Sequence, residues 1–315
     1  MKSKTIFIIL IIFTISELII LSCEKDITVD LPKTEEKLNV QASIDLNEYP
    51  IVFLTKNMSY FDKADTAFVK NLIVSGNQAV VVVSCNGIAD TLSPHKFPVW
   101  PFDGYIGSKF KGAIGNYYDL KINYDNKEYY ATTTIRDTIG IDSVKFNIVS
   151  IRDTFQTGYL TLFWRNPSTN GNYFAIRLKS TYQNWFFRPM MVNVIDDKLI
   201  DNSPFVSCPF VTKSYARNSF FSRQDEEDTL HFEQEFLFKI GDTISIQLST
   251  LDEISYLFWS SWERNKMTDG NPFMNPASVK SNIKGAPANG AWIGYGAFIK
   301  SFFINNELKV VPIDY

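Results

Sequence analysis

Histidine is scarce. His95 and His231 are the only two in 315 residues, which excludes a multi-histidine metal site and leaves little for acid–base work. Cysteine is nearly absent too: Cys23, Cys85 and Cys208 sit in no Cys-x-x-Cys spacing. No excess of positive charge exists, since 31 Lys+Arg against 34 Asp+Glu give a formal net charge of -3. Phosphate binding needs a basic surface, so nucleic acid is excluded as a partner. Gly-x-Ser-x-Gly, the phosphate-cradling loop and His-Glu-x-x-His are all missing. With no catalytic signature left, the chain is read as a non-enzyme that needs no cofactor and no metal.

Aromatic side chains are abundant. They make up 15% of the chain, and the 26 Phe outnumber leucine. Aromatic and β-branched residues suit pleated, half-buried surfaces, whereas leucine suits helices. Hydrophobic residues at 45% and charged ones at 21% are enough for a packed core. Composition therefore leans all-β.

Residues 1–22 read as a secretory leader. Lys2 and Lys4 precede an apolar run from Ile6 to Ile15, broken only by Thr14. A membrane-spanning anchor is the rival reading, opposed by Glu17, whose carboxylate is costly in hydrocarbon. Ile20-Leu21-Ser22-Cys23 resembles a bacterial lipobox, with Leu21 bulkier than the usual second residue. Cleavage is then expected before Cys23. Its thiol would take a diacylglycerol and its new amine a third, palmitate-type chain. At about 0.8 kcal/mol per buried CH₂, several chains anchor stably. A plain secreted protein with an incidental cysteine is the alternative. Residues 23–36 are polar, contain Pro32 and read as a tether.

From residue 37 the pattern is one of short strands. Residues 38–44 alternate apolar and polar, while 51–55 and 79–83 are apolar runs, the latter closed by Asn86-Gly87. Residues 118–124 and 127–135 flank Asp125-Asn126 as a hairpin. Strands at this spacing predict an immunoglobulin/transthyretin-like β-sandwich over 37–137. A second β-rich domain is expected over 138–315, with strands at 144–148, 159–164, 173–178, 232–238 and 243–248. One prominent helix is expected near 251–265, capped by Thr250 with Glu253 completing a capping box. Its aromatic stripe reads as core packing. Residues 270–290, rich in Gly, Asn and Pro, read as a long loop.

Binding is the chemistry best supported. Trp185, Phe186, Phe187 and Arg188 crowd three rings beside a cation, and Trp100 sits between prolines in Val99-Trp100-Pro101-Phe102. Sugars and peptides stack on such platforms, so a glycan or peptide ligand is expected there. The competing reading is that these rings fill the gap between two β domains. Asp225-Glu226-Glu227-Asp228 is the densest acidic cluster and reads as a solvated loop, with a calcium site or a carboxylate pair for glycoside hydrolysis as alternatives. Cys85 and Cys208 are expected as free or buried thiols rather than a disulfide.

In order along the chain, Cys23-Glu-Lys-Asp, Pro50 to Lys56, Tyr117 to Ile135, Ile141-Asp-Ser-Val144, Gly241-Asp242, Tyr256 to Trp262, Gly270-Asn-Pro-Phe273, Pro276, Ser281-Asn-Ile283 and Gly294-Tyr295 form a recognisable series. The chain resembles an uncharacterised family of Bacteroidota outer-membrane lipoproteins, known as a domain of unknown function and encoded beside TonB-dependent receptors. The resemblance implies a lipid-anchored outer-membrane protein, on the periplasmic or the cell-surface face, working with such a receptor. Glu24 and Asp26 are similar to the acidic signals that send lipoproteins to the surface. The expected function is accessory binding in TonB-dependent nutrient uptake. The rivals are a surface-anchored glycosidase-like hydrolase and a structural or adhesive surface protein.

Overall fold

Strand β1 (Leu38–Asp45) buries Leu38, Val40, Ala42 and Ile44 and leaves the residues between them at least partly exposed, as its period-two sequence requires. It is one of many strands in a computed structural model that describes residues 36–57, 66–97, 103–152, 155–167, 171–180, 186–199, 205–212, 237–268, 278–307 and 309–313. After β1 come β2 (Ile51–Lys56), a short helix α1 (Thr66–Leu72), β3 (Ile73–Val74), β4 (Ala79–Cys85) and β5 (Ile88–Thr91). Next are β6 (Ser93–Lys96), β7 (Asp103–Ile106), β8 (Tyr117–Tyr124) and β9 (Lys127–Thr134). The chain continues with β10 (Ser143–Arg152), β11 (Phe155–Arg165), β12 (Tyr173–Ser180), β13 (Arg188–Asp196), β14 (Phe205–Val211), β15 (Phe238–Lys239) and β16 (Thr243–Leu251). Helix α2 (Glu253–Thr268), β17 (Lys284–Gly285), β18 (Ala288–Ile304) and β19 (Val310–Ile313) complete it. The protein is mainly β with one prominent helix.

The strands form three sheets. Ten strands share the largest, in the order β13-β12-β16-β18-β1-β2-β7-β6, with β19 beside β18 and β3 beside β2. A five-stranded sheet runs β17-β9-β8-β4-β5, and a four-stranded one runs β10-β11-β14 with β15 beside β11. The β8–β9 hairpin turns at Asp125 and Asn126, with φ of 50° and 56°, as a two-residue turn with left-handed backbone at both positions demands.

Two main cores result. One gathers residues from Leu38 to Ile135, with Trp292 from β18. Inward residues of β1 and β2 face Val81, Val83, Leu120 and Ile122 of the five-stranded sheet there. The other packs Leu160, Leu162 and Trp164 of the four-stranded sheet on Phe174, Ile176, Leu248 and Phe302 of the ten-stranded one. Burying each large aliphatic side chain contributes about 1.5–3 kcal/mol.

Strand β18 joins the two. Its residues 288–295 pair in parallel with β1, and residues 296–303 pair antiparallel with β16. The ten-stranded sheet therefore draws strands from both sides of residue 137, where the sequence suggested a boundary, and residues 36–315 make one compact unit. The sequence reading named no strand in β18, because Gly290, Gly294 and Gly296 blur its periodicity.

Two local expectations are corrected. Residues 284–285 and 288–290, read as loop, are strands; residues 270–277 of that stretch lie outside the described residues. The helix runs Glu253–Thr268 rather than 251–265, and its cap is Asp252, whose Oδ1 accepts the Ser255 backbone N–H at 2.8 Å. Thr250 still belongs to β16, and its hydroxyl donates to the Asp137 carbonyl at 2.6 Å. The expected strand at 232–238 falls outside the described residues except at its end, where Phe238 begins β15.

Candidate functional site

The ten-stranded sheet has an outer face turned away from both main cores, and its register decides which side chains meet there. Asp45 lies beside Tyr295, Arg177 beside Gln247, and Gln41 beside Phe53. Helix α2 covers part of this face. Tyr256 stacks on Tyr173 with ring centroids 4.5 Å apart, and the Trp259 indole N–H donates to the Tyr295 hydroxyl at 2.9 Å. The helix's aromatic residues Tyr256, Phe258 and Trp259 thus pack against a third, smaller core.

A polar seam crosses the middle of the face. Arg177 Nη2 donates to Asp45 Oδ2 at 2.6 Å, and Gln247 Nε2 donates to the same oxygen at 2.9 Å. The Arg177 guanidinium lies 3.6 Å from the centre of the Tyr295 ring. The two charged side chains are only 11% and 19% exposed, so both have left most of their water. Asp45 Oδ1, Arg177 Nε and Gln247 Oε1 are buried without a hydrogen-bond partner. Tyr295 stays protonated far into the alkaline range, with burial pushing its phenol up to about 12. These unpaired atoms have no accessible surface for a ligand to reach, so the seam fastens the fold rather than binding.

An aromatic cluster forms on the same sheet. Phe53 of β2, Phe97 after β6 and Phe186 before β13 meet with centroid distances of 5.1, 5.2 and 5.7 Å. All three are half-buried, and the exposed His95 sets its ring edge-on to Phe97 at 4.7 Å. Tilted and edge-to-face pairs of this kind are the favoured aromatic geometries.

The cluster brings the neighbourhoods of the two nominated segments together. Phe97 lies three residues before Trp100, and Phe186 follows Trp185; both tryptophans lie outside the described residues. Phe187 and Arg188 are half-buried, and burial pulls the Arg188 guanidinium below its usual range. Arg188 opens β13 opposite Leu178, a residue of the second core, so it follows the other face of the sheet from Phe186. Sequence reasoning missed Phe53, a lone phenylalanine in an apolar strand with no sign of which face it would fill, and Phe97, which follows the polar, exposed β6. Cys23, the 225–228 acidic cluster and His231 also lie outside the described residues. Among the described residues, no three His, Cys, Asp or Glu side chains gather as a metal site would require.

A sequence profile described as a domain of unknown function, DUF4249, matches residues 24–299. The chain belongs to that family. The DUF4249 match begins at the residue after Cys23 and ends within β18, so it includes the seam and the aromatic cluster. No curated protein matches the chain.

Cys85 and Cys208 are free and buried, Cys85 in the first core and Cys208 in the second. Burial raises both thiols; Cys208, with the Glu263 charge adding to the effect, is pushed up to about 12. In the native protein Cys85 and Cys208 should therefore leave an aromatic disulfide reagent unreacted at pH 8, and both should titrate once it is unfolded. Fast reaction of native protein would contradict the buried placement. The folded thiol holds its proton above the ordinary value of 9.0, so stability should fall as pH rises past about 9.

Proposed function

We propose that this DUF4249 protein is an outer-membrane lipoprotein, acylated at Cys23, that serves as a non-catalytic binding component of a TonB-dependent nutrient uptake system. The observation that carries the binding role is the convergence of Phe186, itself nominated from sequence, and Phe97, which adjoins the other nominated segment, on one sheet face with Phe53. Half-buried rings in fixed geometry offer their remaining apolar contact area at little entropic cost, which suits the flat face of a sugar or a peptide side chain. The lipoprotein role is supported by the charged start, apolar run and Ser22-Cys23 junction, and by a family match that starts at residue 24. No helix among the described residues is long and apolar enough to cross a membrane. In this reading the acyl chains do the anchoring.

Purification in mild detergent from native envelopes should recover a TonB-dependent receptor with the chain. The deletion strain should grow poorly on one class of nutrient, and Phe186→Ala should reproduce that defect while the receptor still co-purifies. Recovery of the chain alone, with normal growth of the deletion strain on every nutrient supplied, refutes the proposal.

A further inference from the structure

The connection between the two large cores leaves β9 and runs flat across β18. Two glycines permit the crossing. A Cβ on Gly294 would stand 2.4 Å from the Thr134 carbonyl oxygen, and one on Gly296 would stand 2.3 Å from that of Arg136. Residues 135–142 carry no helix or strand, so this stretch has the makings of a hinge. Three side chains close it down. The Thr133 hydroxyl accepts the Gly294 backbone N–H at 2.8 Å and donates to Asp252 Oδ2 at 3.1 Å. That same oxygen accepts the Thr134 N–H at 3.4 Å, while Asp252 Oδ1 caps α2 through Ser255. The Thr250 hydroxyl holds the Asp137 carbonyl from the far side. Thr133 and Thr250 are only 2% and 6% exposed, so water competes poorly for these bonds.

We infer that Thr133, Thr250 and Asp252 form a latch that locks this hinge and holds the aromatic cluster in register. Phe53 and Phe97 precede the crossing while Phe186 follows it, so the latch adds to the β1–β18–β16 pairing that also joins the two sides of the cluster. Asp252 is the key member, since one carboxylate ties the start of α2 to the chain leaving β9. The latch does not depend on what the cluster binds, nor on whether it binds at all.

Hydrogen exchange read by mass spectrometry on the full chain tests it, with Thr133→Val and Asp252→Asn as variants. Valine keeps the size of threonine and removes the hydroxyl. Asparagine still caps α2 but puts an amide N–H₂ where Asp252 Oδ2 accepted. Both variants should speed exchange at 133–138 and 186–190 by about tenfold or more, with β8 and β11 unchanged, as local opening without core unfolding requires. Unchanged exchange at 133–138 overturns the latch. So does an equal rise in β8 and β11, which would mark ordinary destabilisation. A rise confined to 133–138 overturns the link to the cluster.

Discussion

Replacing Cys23 with alanine should abolish acylation and strip the protein from the outer-membrane fraction. The effect is large because anchoring by acyl chains is close to all-or-none. One chain binds reversibly, whereas several, at about 0.8 kcal/mol per buried CH₂, hold firmly. On the proposed reading the variant would offer no thiol to carry the diacylglycerol, and maturation of the leader would depend on that step. Among the described residues α2, the longest helix, carries Glu253, Glu263, Arg264 and Lys266, and no helix is long and apolar enough to cross a membrane. Labelled palmitate should enter the wild-type protein and not Cys23→Ala, and mass spectrometry of the wild-type N-terminal peptide should show an acylated cysteine. An unmodified wild-type peptide, or a variant that still sediments with outer membranes, would defeat the assignment.

Breaking the seam should cost most of the protein's margin of stability. Arg177→Ala leaves the Asp45 carboxylate with Gln247 as its one remaining partner on a largely desolvated face. Removing one member of such a pair costs about 3–5 kcal/mol, a large share of the 5–15 kcal/mol typical of a folded domain. The low end is expected here, since neither side chain is fully sealed. The double variant Asp45→Leu/Arg177→Met should behave differently. It removes both charges and two of the three unpaired polar atoms while leaving Gln247 Nε2 without its acceptor, so it should recover much of the lost stability but not all of it. Chemical denaturation of wild type, both single variants and the double variant forms the test. A double variant as unstable as the sum of the singles would mean that the two side chains are not coupled, and would overturn this account of the seam.

The seam and the latch act on one junction. Asp45 comes from the first strand, Arg177 and Gln247 from strands beyond the crossing, so the ion pair fastens the sheet while Asp252 fastens the connection. Rigidity there has a binding consequence. A platform assembled from both sides of a joint loses affinity if the joint moves, because ordering it must then be supplied on binding.

Strand positions were legible because their signals are local. Residues 38–44, 51–55 and 243–248 announce themselves by alternation or short apolar runs, and Asn86-Gly87 and Asp125-Asn126 tolerate the left-handed backbone their turns need. Within the candidate site, Phe186 was legible as one of a crowd of rings. Its partners were not, since they lie about 90 and 130 residues earlier along a chain that packs them only through the sheet.

Sequence alone settled the mainly β character of the chain and the residues of its hairpins, because alternation and turn chemistry act between near neighbours. Tertiary structure alone decided that β1 and β18 run side by side, that Asp45 meets Arg177 across 132 positions, and that Asp252 rather than Thr250 caps the helix. Those outcomes rest on which surfaces exclude water together, and no short stretch of residues carries that information.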